Sequence, residues 1–398
     1  MVLERIPVTH VGSLVRPPAL VALLLKVQGG EPVDGDELTA ELDRAVDSVV
    51  SEQRGNGVDI VSDGEFGKSI SWAQYVNTRL GGVELREDVP RNARRHVGKD
   101  RQDFAEFYAE YEAAQGIAGM GTQMKPSAGT WTVTGPVTYT GQAALQSDIL
   151  RLKSAMATRG ITEGFLPVVA PTSAVPALVD RYYGTPEKLL FGVAGALAEE
   201  YRTIIDAGLY VQIDDAYLAS MYDVMVPRGP VSDYRAWAQM GMAALNRALE
   251  GLPADRVRYH VCWGSWNGPH SNDVNLRDIV DLILSANVGA YALEMANPRH
   301  EHEWRVWEKT RLPPGRKLIP GVVTHSTNIV EHPELVAERL TRLARLVGRE
   351  NVVAGTDCGF AQGPFTRRVH PSIQWAKLRA LAAGAQLASE ELWGRSRP

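Results

Sequence analysis

Short apolar runs, most of them rich in β-branched residues, recur along the whole chain and constrain its fold class. They are "PVTHVGSL", "GVDIVSDGE", "TWTVTGPVTY", "GFLPVVAPTS", "LYVQIDDA", "VRYHVCWG", "GAYALEMA", "KLIPGVVTH" and "NVVAGTDCG". Several follow amphipathic stretches with an apolar period near 3.6, among them "KLLFGVAGALAEEYRTIIDAG", "LRDIVDLILSANVG" and "PELVAERLTRLARLVGRE". Those stretches end in or near Gly, a common helix C-terminus. Strands that alternate with helices form a parallel sheet with right-handed crossovers. The expectation is an α/β fold, a single (β/α)8 TIM barrel spanning residues 1–398.

A closed barrel holds eight strands, one fewer than the runs available. "GFLPVVAPTS" directly precedes the helix that leads into "LYVQIDDA", which keeps it in the barrel. "TWTVTGPVTY" has polar surroundings and is placed in an excursion, as a hairpin. The stretch from about 84 to 130 is charged and helical, and reads as a helical insertion near the barrel mouth. Its basic cluster, Arg91, Arg94, Arg95 and Lys99, reads as a solvated helix face, with contact to an anionic substrate as the alternative.

At 398 residues, with 44% hydrophobic and 22% charged residues, the chain has material for a large core. A formal net charge of −5 argues against a nucleic-acid partner or an anionic membrane surface. No apolar run approaches the ~18 residues of a membrane span. The opening "MVLERIPVTHVGS" lacks the basic and apolar segments of a secretory leader, so the expected location is cytoplasmic. Two cysteines do not make a disulfide framework.

Polar residues fall at the ends of these runs. Ser13 ends "THVGS"; Asp63 and Glu65 end "DIVSDGE"; Asp214 and Asp215 end "VQIDDA". His260 and Cys262 end "RYHVC", Glu294 ends "AYALE", His325 ends "PGVVTH", and Asp357 and Cys358 end "VVAGTDC". In a parallel barrel these ends share one rim, where active sites form. Residues i and i+2 of a strand share a face, so His260 and Cys262 can reach one point. Alone, that pair is equally well a buried thiol beside an incidental histidine, and Cys358 alone is better read as a small buried hydrophobe. A Cys262–Cys358 disulfide is a further alternative, which a reducing cytosol disfavours.

Taken together, His260, Cys262 and Cys358 supply three soft-to-borderline ligands and leave a fourth position open. That set suits Zn2+ in a catalytic site, with a nearby Glu able to fill the open position until substrate arrives. Two thiolates and a neutral imidazole bring the ion's net charge to about zero, which makes it a poor activator of water. It can still hold an incoming thiol, of ordinary pKa ~8.5, as a thiolate near neutral pH. The chemistry indicated is thiol alkylation.

These motifs, from "THVGSLVRP" to "GTDCG", resemble the catalytic barrel of the cobalamin-independent methionine synthase family, whose relatives include epoxyalkane:coenzyme M transferases. The resemblance implies zinc ligands at His260, Cys262, Glu294 and Cys358. It implies a homocysteine pocket formed by Ser13 in "VGSL", Glu65 in "DGEF" and Asp214 in "QIDD", the two carboxylates suiting an ammonium group. It implies a proton carrier at His325 in "PGVVTHST", and a methyl transfer to homocysteine.

Departures concern the alkyl donor. The synthase carries two such barrels in tandem, whereas this chain holds one. Its "DEPALREGLP" is here "DDAYLASMYD", and the aromatic "WS" after its "GPVT" is missing. Methyl-tetrahydrofolate, methylcobalamin on a corrinoid protein, an epoxide and other methylated small molecules all remain open as donors. The alternative functions are addition of coenzyme M to an epoxide, for which Arg16 or Arg91 would have to stand near the rim, and a metal-free binding barrel. His300 and His302 in "PRHEHEW" invite a second metal site, but a polar loop or helix start is the better reading. Trp72, Tyr139, Trp263 and Trp266 are candidates for the donor pocket, with packing as the default.

Overall fold

The computed structural model describes residues 4–89, 98–115 and 129–394. Its strands are β1 (Val61–Ser62), β2 (Leu80–Arg86), β3 (Thr130–Tyr139), β4 (Gly164–Val169), β5 (Val179–Asp180) and β6 (Tyr210–Asp215). They continue as β7 (Val257–Val261), β8 (Ala290–Glu294), β9 (Lys317–Val323), β10 (Gly355–Thr356), β11 (Ala361–Gly363) and β12 (Thr366–Arg367). One parallel sheet has the order β1-β4-β6-β7-β8-β9-β10. β4, β7 and β8 are buried along their whole length, which explains their unbroken apolar runs.

A fully closed eight-stranded barrel, the expectation from the sequence, is not what the hydrogen bonds form. "PVTHVGSL" contributes no strand. Val8 makes one isolated parallel bridge to Ala354. Thr9 N donates to Ala354 O at 2.8 Å, and Val8 O accepts from Asp59 N at 2.9 Å. The segment thus stands between the two sheet edges without a ladder. Pro7 has no N–H to extend the pairing, and Gly12 turns the chain away at a φ of +130°. The result is a curled parallel sheet in a mixed α/β fold.

β3 leaves this sheet, as its polar surroundings indicate, and pairs antiparallel with β2 and parallel with β5. Between β2 and β3 lie the helices Lys99–Asp103 and Ala105–Gln115. Lys99 pairs with Asp103 on an exposed face at 2.5 Å. Arg91, Arg94 and Arg95 lie outside the described residues. The excursion is fastened to helix Pro186–Asp206 through Glu200, which is fully buried. Glu200 accepts from Tyr75 OH at 3.0 Å, Tyr139 OH at 3.1 Å and Arg79 Nη1 at 3.3 Å.

The long helices cover the sheet with one apolar face each. Helix Pro186–Asp206 buries Leu190, Val193, Leu197, Tyr201 and Ile204, spaced three or four residues apart. Each such side chain contributes about 1.5–3 kcal/mol when fully buried. Thr185 caps its start by accepting from Lys188 N at 3.3 Å, and Pro186 fits the first turn. No described helix is long and apolar enough to cross a membrane.

Candidate active site

β6, β7 and β8 run in register, which sets Asp214 beside His260 and His260 beside Ala292. The Nδ1 of His260 lies 3.2 Å from the carbonyl oxygen of Ala292. A carbonyl only accepts, so Nδ1 carries the proton and Nε2 is left with its lone pair. Nε2 is buried and has no hydrogen-bond partner among the described residues. Burial lowers the His260 pKa to about 4, which keeps the ring in its neutral, ligating form.

Cys262 and Cys358 are both buried and both free thiols. One nitrogen of His260 and the two sulfurs all lie within 4.8 Å of one another. The hydrogen bond with Cys262, and then burial, push the Cys358 thiol well above its ordinary range. A buried, unpartnered imidazole nitrogen facing two crowded thiols is a costly arrangement in a protein without a ligand there. The same donor set suits a zinc ion, so these residues fit the metal that their types indicate.

Glu294, the fourth ligand that the resemblance implies, lies outside the set of atoms within 4.8 Å of one another. It is fully buried at the end of β8. Its Oε1 accepts from Trp263 N at 3.2 Å, and its Oε2 accepts from Asn297 Nδ2 at 2.7 Å and Arg299 Nη2 at 3.0 Å. These three donors hold the carboxylate at the end of β8.

A cavity of about 470 Å³ opens over the three-residue cluster, and Ser13, Glu65 and Asp214 line it together with His260, Cys262 and Cys358. Ser13 Oγ is buried without a partner among the described residues. Gly359 lets the chain after Cys358 lie against Ser13: a Cβ there would stand 2.6 Å from that of Ser13. Glu65 reaches the cavity from a tight turn in which Gly64 (φ +70°) and Glu65 (φ +64°) are both left-handed. Asp63 Oδ1 accepts from Glu65 N at 2.9 Å and holds this unusual conformation.

Glu65 perturbs its cavity neighbour Asp214. Burial first, and then the charge of Glu65, raise the Asp214 pKa well above the usual carboxylate range. Gln212 Nε2 donates to Asp214 Oδ1 at 2.8 Å, and the buried Lys68 Nζ lies 3.4 Å from Glu65 Oε2. Such a pair favours a ligand that brings a positive charge.

On the far side, Gly98, Arg101, Tyr108 and Glu112 of the inserted segment line the same cavity. Asp100 anchors that segment. It accepts from His270 N at 2.8 Å, Ser271 N at 2.9 Å and Tyr108 OH at 3.1 Å. Trp72 and Trp266 also line the cavity. Trp263 is instead fully buried with its indole N–H on Val274 O at 2.7 Å, and Tyr139 serves Glu200.

His325 is fully buried and does not line the cavity among the described residues. Burial and the neighbouring Arg299 and Arg368 hold its pKa well below the ordinary value, so its ring is neutral. His300 joins Glu303 at 2.8 Å and Asp273 at 3.3 Å in a polar network at the start of the turn Glu301–Glu308. Among the described residues, neither His300 nor His302 joins a metal-type cluster. Arg16 lies beneath the Glu65 turn and donates to the Glu65 and Lys68 carbonyls. Arg368, from just after β12, does line the cavity.

Lys68, Asp100, Asn297 and Arg299 escaped the sequence reading. Asn297 and Arg299 sit 3 and 5 residues after Glu294. That closeness of an arginine to a strand-end carboxylate was the available signal. Asp100 meets His270 across 170 residues, which no local pattern reveals.

The family model described as the cobalamin-independent synthase catalytic domain matches residues 95–377. The chain is 23% identical over 415 residues to a 2-hydroxypropyl-CoM lyase of Xanthobacter autotrophicus, covering 97% of this chain and 96% of that protein. It is 22% identical over 392 residues to a methionine synthase of Sulfurisphaera tokodaii, covering 98% and 94%. A B12-independent methionine synthase from Shewanella, solved in complex with selenomethionine, superposes with a TM-score of 0.71 at 22% identity, covering 98% of this chain and 99% of that one. That likeness shows a shared fold. With most of its length matched by the family model, the chain belongs to the cobalamin-independent synthase catalytic-domain family.

Proposed function

We propose that the protein is a zinc-dependent thiol alkyltransferase that moves a methyl group onto the sulfur of homocysteine. The observation that carries this reading is one cavity shared by the His260, Cys262 and Cys358 cluster and the Glu65–Asp214 carboxylates. His260, Cys262 and Cys358 would hold the zinc. A zinc ion bound there supplies the charge that keeps a thiol deprotonated near neutral pH.

Glu65 and Asp214 hold the substrate's ammonium group, whose charge relieves their mutual repulsion. Ser13 Oγ, unpartnered at the cavity wall, donates to the substrate's carboxylate. These contacts aim the sulfur at the cluster and fix its distance from the donor's methyl carbon. The apolar and aromatic wall, with Trp72, Tyr108 and Trp266, keeps water away from the nucleophile. In the reaction a sulfur–carbon bond forms, the bond from carbon to its leaving group breaks with its electron pair staying on the leaving group, and the thiol proton ends on that leaving group. His325, a buried and neutral ring, is the proposed carrier of that proton to the leaving group.

Arg101 and Arg368 also line the cavity, which favours a second reading: a sulfonated thiol such as coenzyme M adding to an epoxide. One experiment separates the two. The zinc-loaded protein is assayed with homocysteine and with coenzyme M, each against methyl-tetrahydrofolate, a methylcobalamin-loaded corrinoid protein and a small epoxide. Methylation of homocysteine supports the first reading. Turnover with coenzyme M alone replaces it with the second, and full activity in zinc-free protein removes both.

A further inference from the structure

Gln362 stands on β11 at the cavity wall, and the reaction described above does not use it. Its Nε2 donates to the carbonyl of Gly359 at 2.9 Å. A carbonyl only accepts, so the amide nitrogen is the atom that faces Gly359, and the amide oxygen is turned the other way. That Oε1 is buried and accepts no hydrogen bond from a described residue. Of the buried side-chain oxygens that line the cavity, Ser13 Oγ and Gln362 Oε1 are the two without a partner among the described residues. The backbone around Gln362 is held firmly. Trp72 N donates to Gln362 O at 3.2 Å, and Gly363 packs on Ile70, whose carbonyl oxygen would stand 2.9 Å from a Cβ there. A buried acceptor on a fixed support is costly unless a ligand brings the donor.

Gly359 ties this oxygen to the substrate's amino-acid end. It touches Ser13, and Phe360 N donates to Ser13 O at 2.8 Å. Ser13 is the residue assigned to the carboxylate of homocysteine, and the ammonium sits on the carbon that bears that carboxylate. The two carboxylates assigned to the ammonium each have one oxygen engaged already. Lys68 Nζ lies 3.4 Å from Glu65 Oε2, and Gln212 Nε2 donates to Asp214 Oδ1 at 2.8 Å. One oxygen of each is left for a ligand. A primary ammonium has three N–H donors, so these two oxygens leave the third unmatched. A neutral acceptor suits the third place, because another carboxylate would add to the charge that already perturbs Asp214.

We propose that Gln362 is a substrate-binding residue whose Oε1 accepts the third N–H of the homocysteine ammonium and so selects for a primary amine. The proposal rests on the homocysteine reading given above.

The test titrates zinc-loaded protein calorimetrically with homocysteine and with 4-mercaptobutanoate, which has the same thiol and carboxylate but no amine. Gln362→Met removes the acceptor at similar side-chain length. It should bind homocysteine about tenfold more weakly or worse, the scale of a hydrogen bond to a charged group. Its affinity for 4-mercaptobutanoate should stay within about threefold of the parent's. Equal weakening of both ligands shows that Gln362 acts only by bracing Gly359 and the Cys358 segment, and overturns the proposal.

If Gln362→Met does not fold, the parent protein decides with N-methylhomocysteine, which has one N–H fewer. A loss of about fivefold or more relative to homocysteine supports the proposal, and a smaller loss overturns it. A parent that binds coenzyme M and not homocysteine removes the homocysteine reading and this inference together. A parent that binds homocysteine, with a Gln362→Met variant that binds it equally, removes this inference alone.

Discussion

His260 donates from Nδ1 to the carbonyl of Ala292 at 3.2 Å across the β7–β8 ladder, and this bond decides which nitrogen faces the two cysteines. A ring held in one tautomer is a prepared ligand. Metal analysis should therefore give about one zinc per chain, as a single three-residue cluster permits. Cys262→Ser and Cys358→Ser should each weaken zinc binding by at least the 10–100-fold typical of outer-shell losses. A serine variant that retains the metal at parental affinity shows that its cysteine is not a ligand.

Glu65→Gln removes a charge from the cavity wall and should leave the zinc content intact. The lost charge-assisted hydrogen bond to the substrate's ammonium is worth about 1.5–3 kcal/mol, roughly a 10–100-fold rise in homocysteine KM. With the neighbouring charge gone, Asp214 should also titrate lower than in the parent, although burial still holds it up. Carboxyl NMR follows this directly. A thiol without an amino group should be indifferent to the substitution, and equal losses for both thiols would contradict the assignment.

His300 gives stability a pH dependence of known sign. Burial alone would lower its pKa, but hydrogen bonds with Asp273 and Glu303 outweigh that and raise it from 6.5 to about 9. The folded protein thus holds a proton that the unfolded chain releases above pH 6.5. The resulting stability is complete below about pH 6.5 and is lost as the pH rises through about 9. Asp273 is the opposite case. Burial raises it, but His270 and His300 hold it down to about 2 from 3.8, so its contribution is lost as the pH falls through that range. Chemical denaturation from pH 6 to 10 should show the decline, and His300→Gln should flatten it. An equal slope in both proteins would rule the pair out.

Asp100→Ala should free the inserted segment while the core stays folded. It strands the N–H groups of His270 and Ser271, at about 1–3 kcal/mol for each group left buried. Hydrogen exchange should rise in residues 98–115 and in the 264–273 loop, with little change in the parallel sheet. Substrate KM should rise as well, because this segment supplies one cavity wall. Unaltered exchange in 98–115 would show that Asp100 is not its anchor.

Much of this protein was legible in one dimension. The period-two face of "RYHVC" and the strand-end position of "GTDC" marked His260, Cys262 and Cys358, because side chains two apart on a strand point the same way. Strand-end position together with the resemblance marked Glu65 and Asp214. The polar flanks of "TWTVTGPVTY" separated it from the parallel sheet, where a strand must be buried on both faces. The resemblance placed Glu294 with the ligands because it ends its strand in the same manner. Strand-end position says where a side chain starts and not which donor will hold it.

The alternation of strands and helices, and the residue types at the strand ends, were determined by the sequence itself, because periodicity and local chemistry act over a few residues. Three things were decided only by the tertiary structure. Glu294 accepts hydrogen bonds from Trp263, Asn297 and Arg299. Ser13, Glu65 and Asp214 converge on one cavity from distant parts of the chain. The segment around Val8 bridges the sheet's edges by a single pairing instead of a full strand. Each depends on which groups the folded chain brings together, and packing decides that.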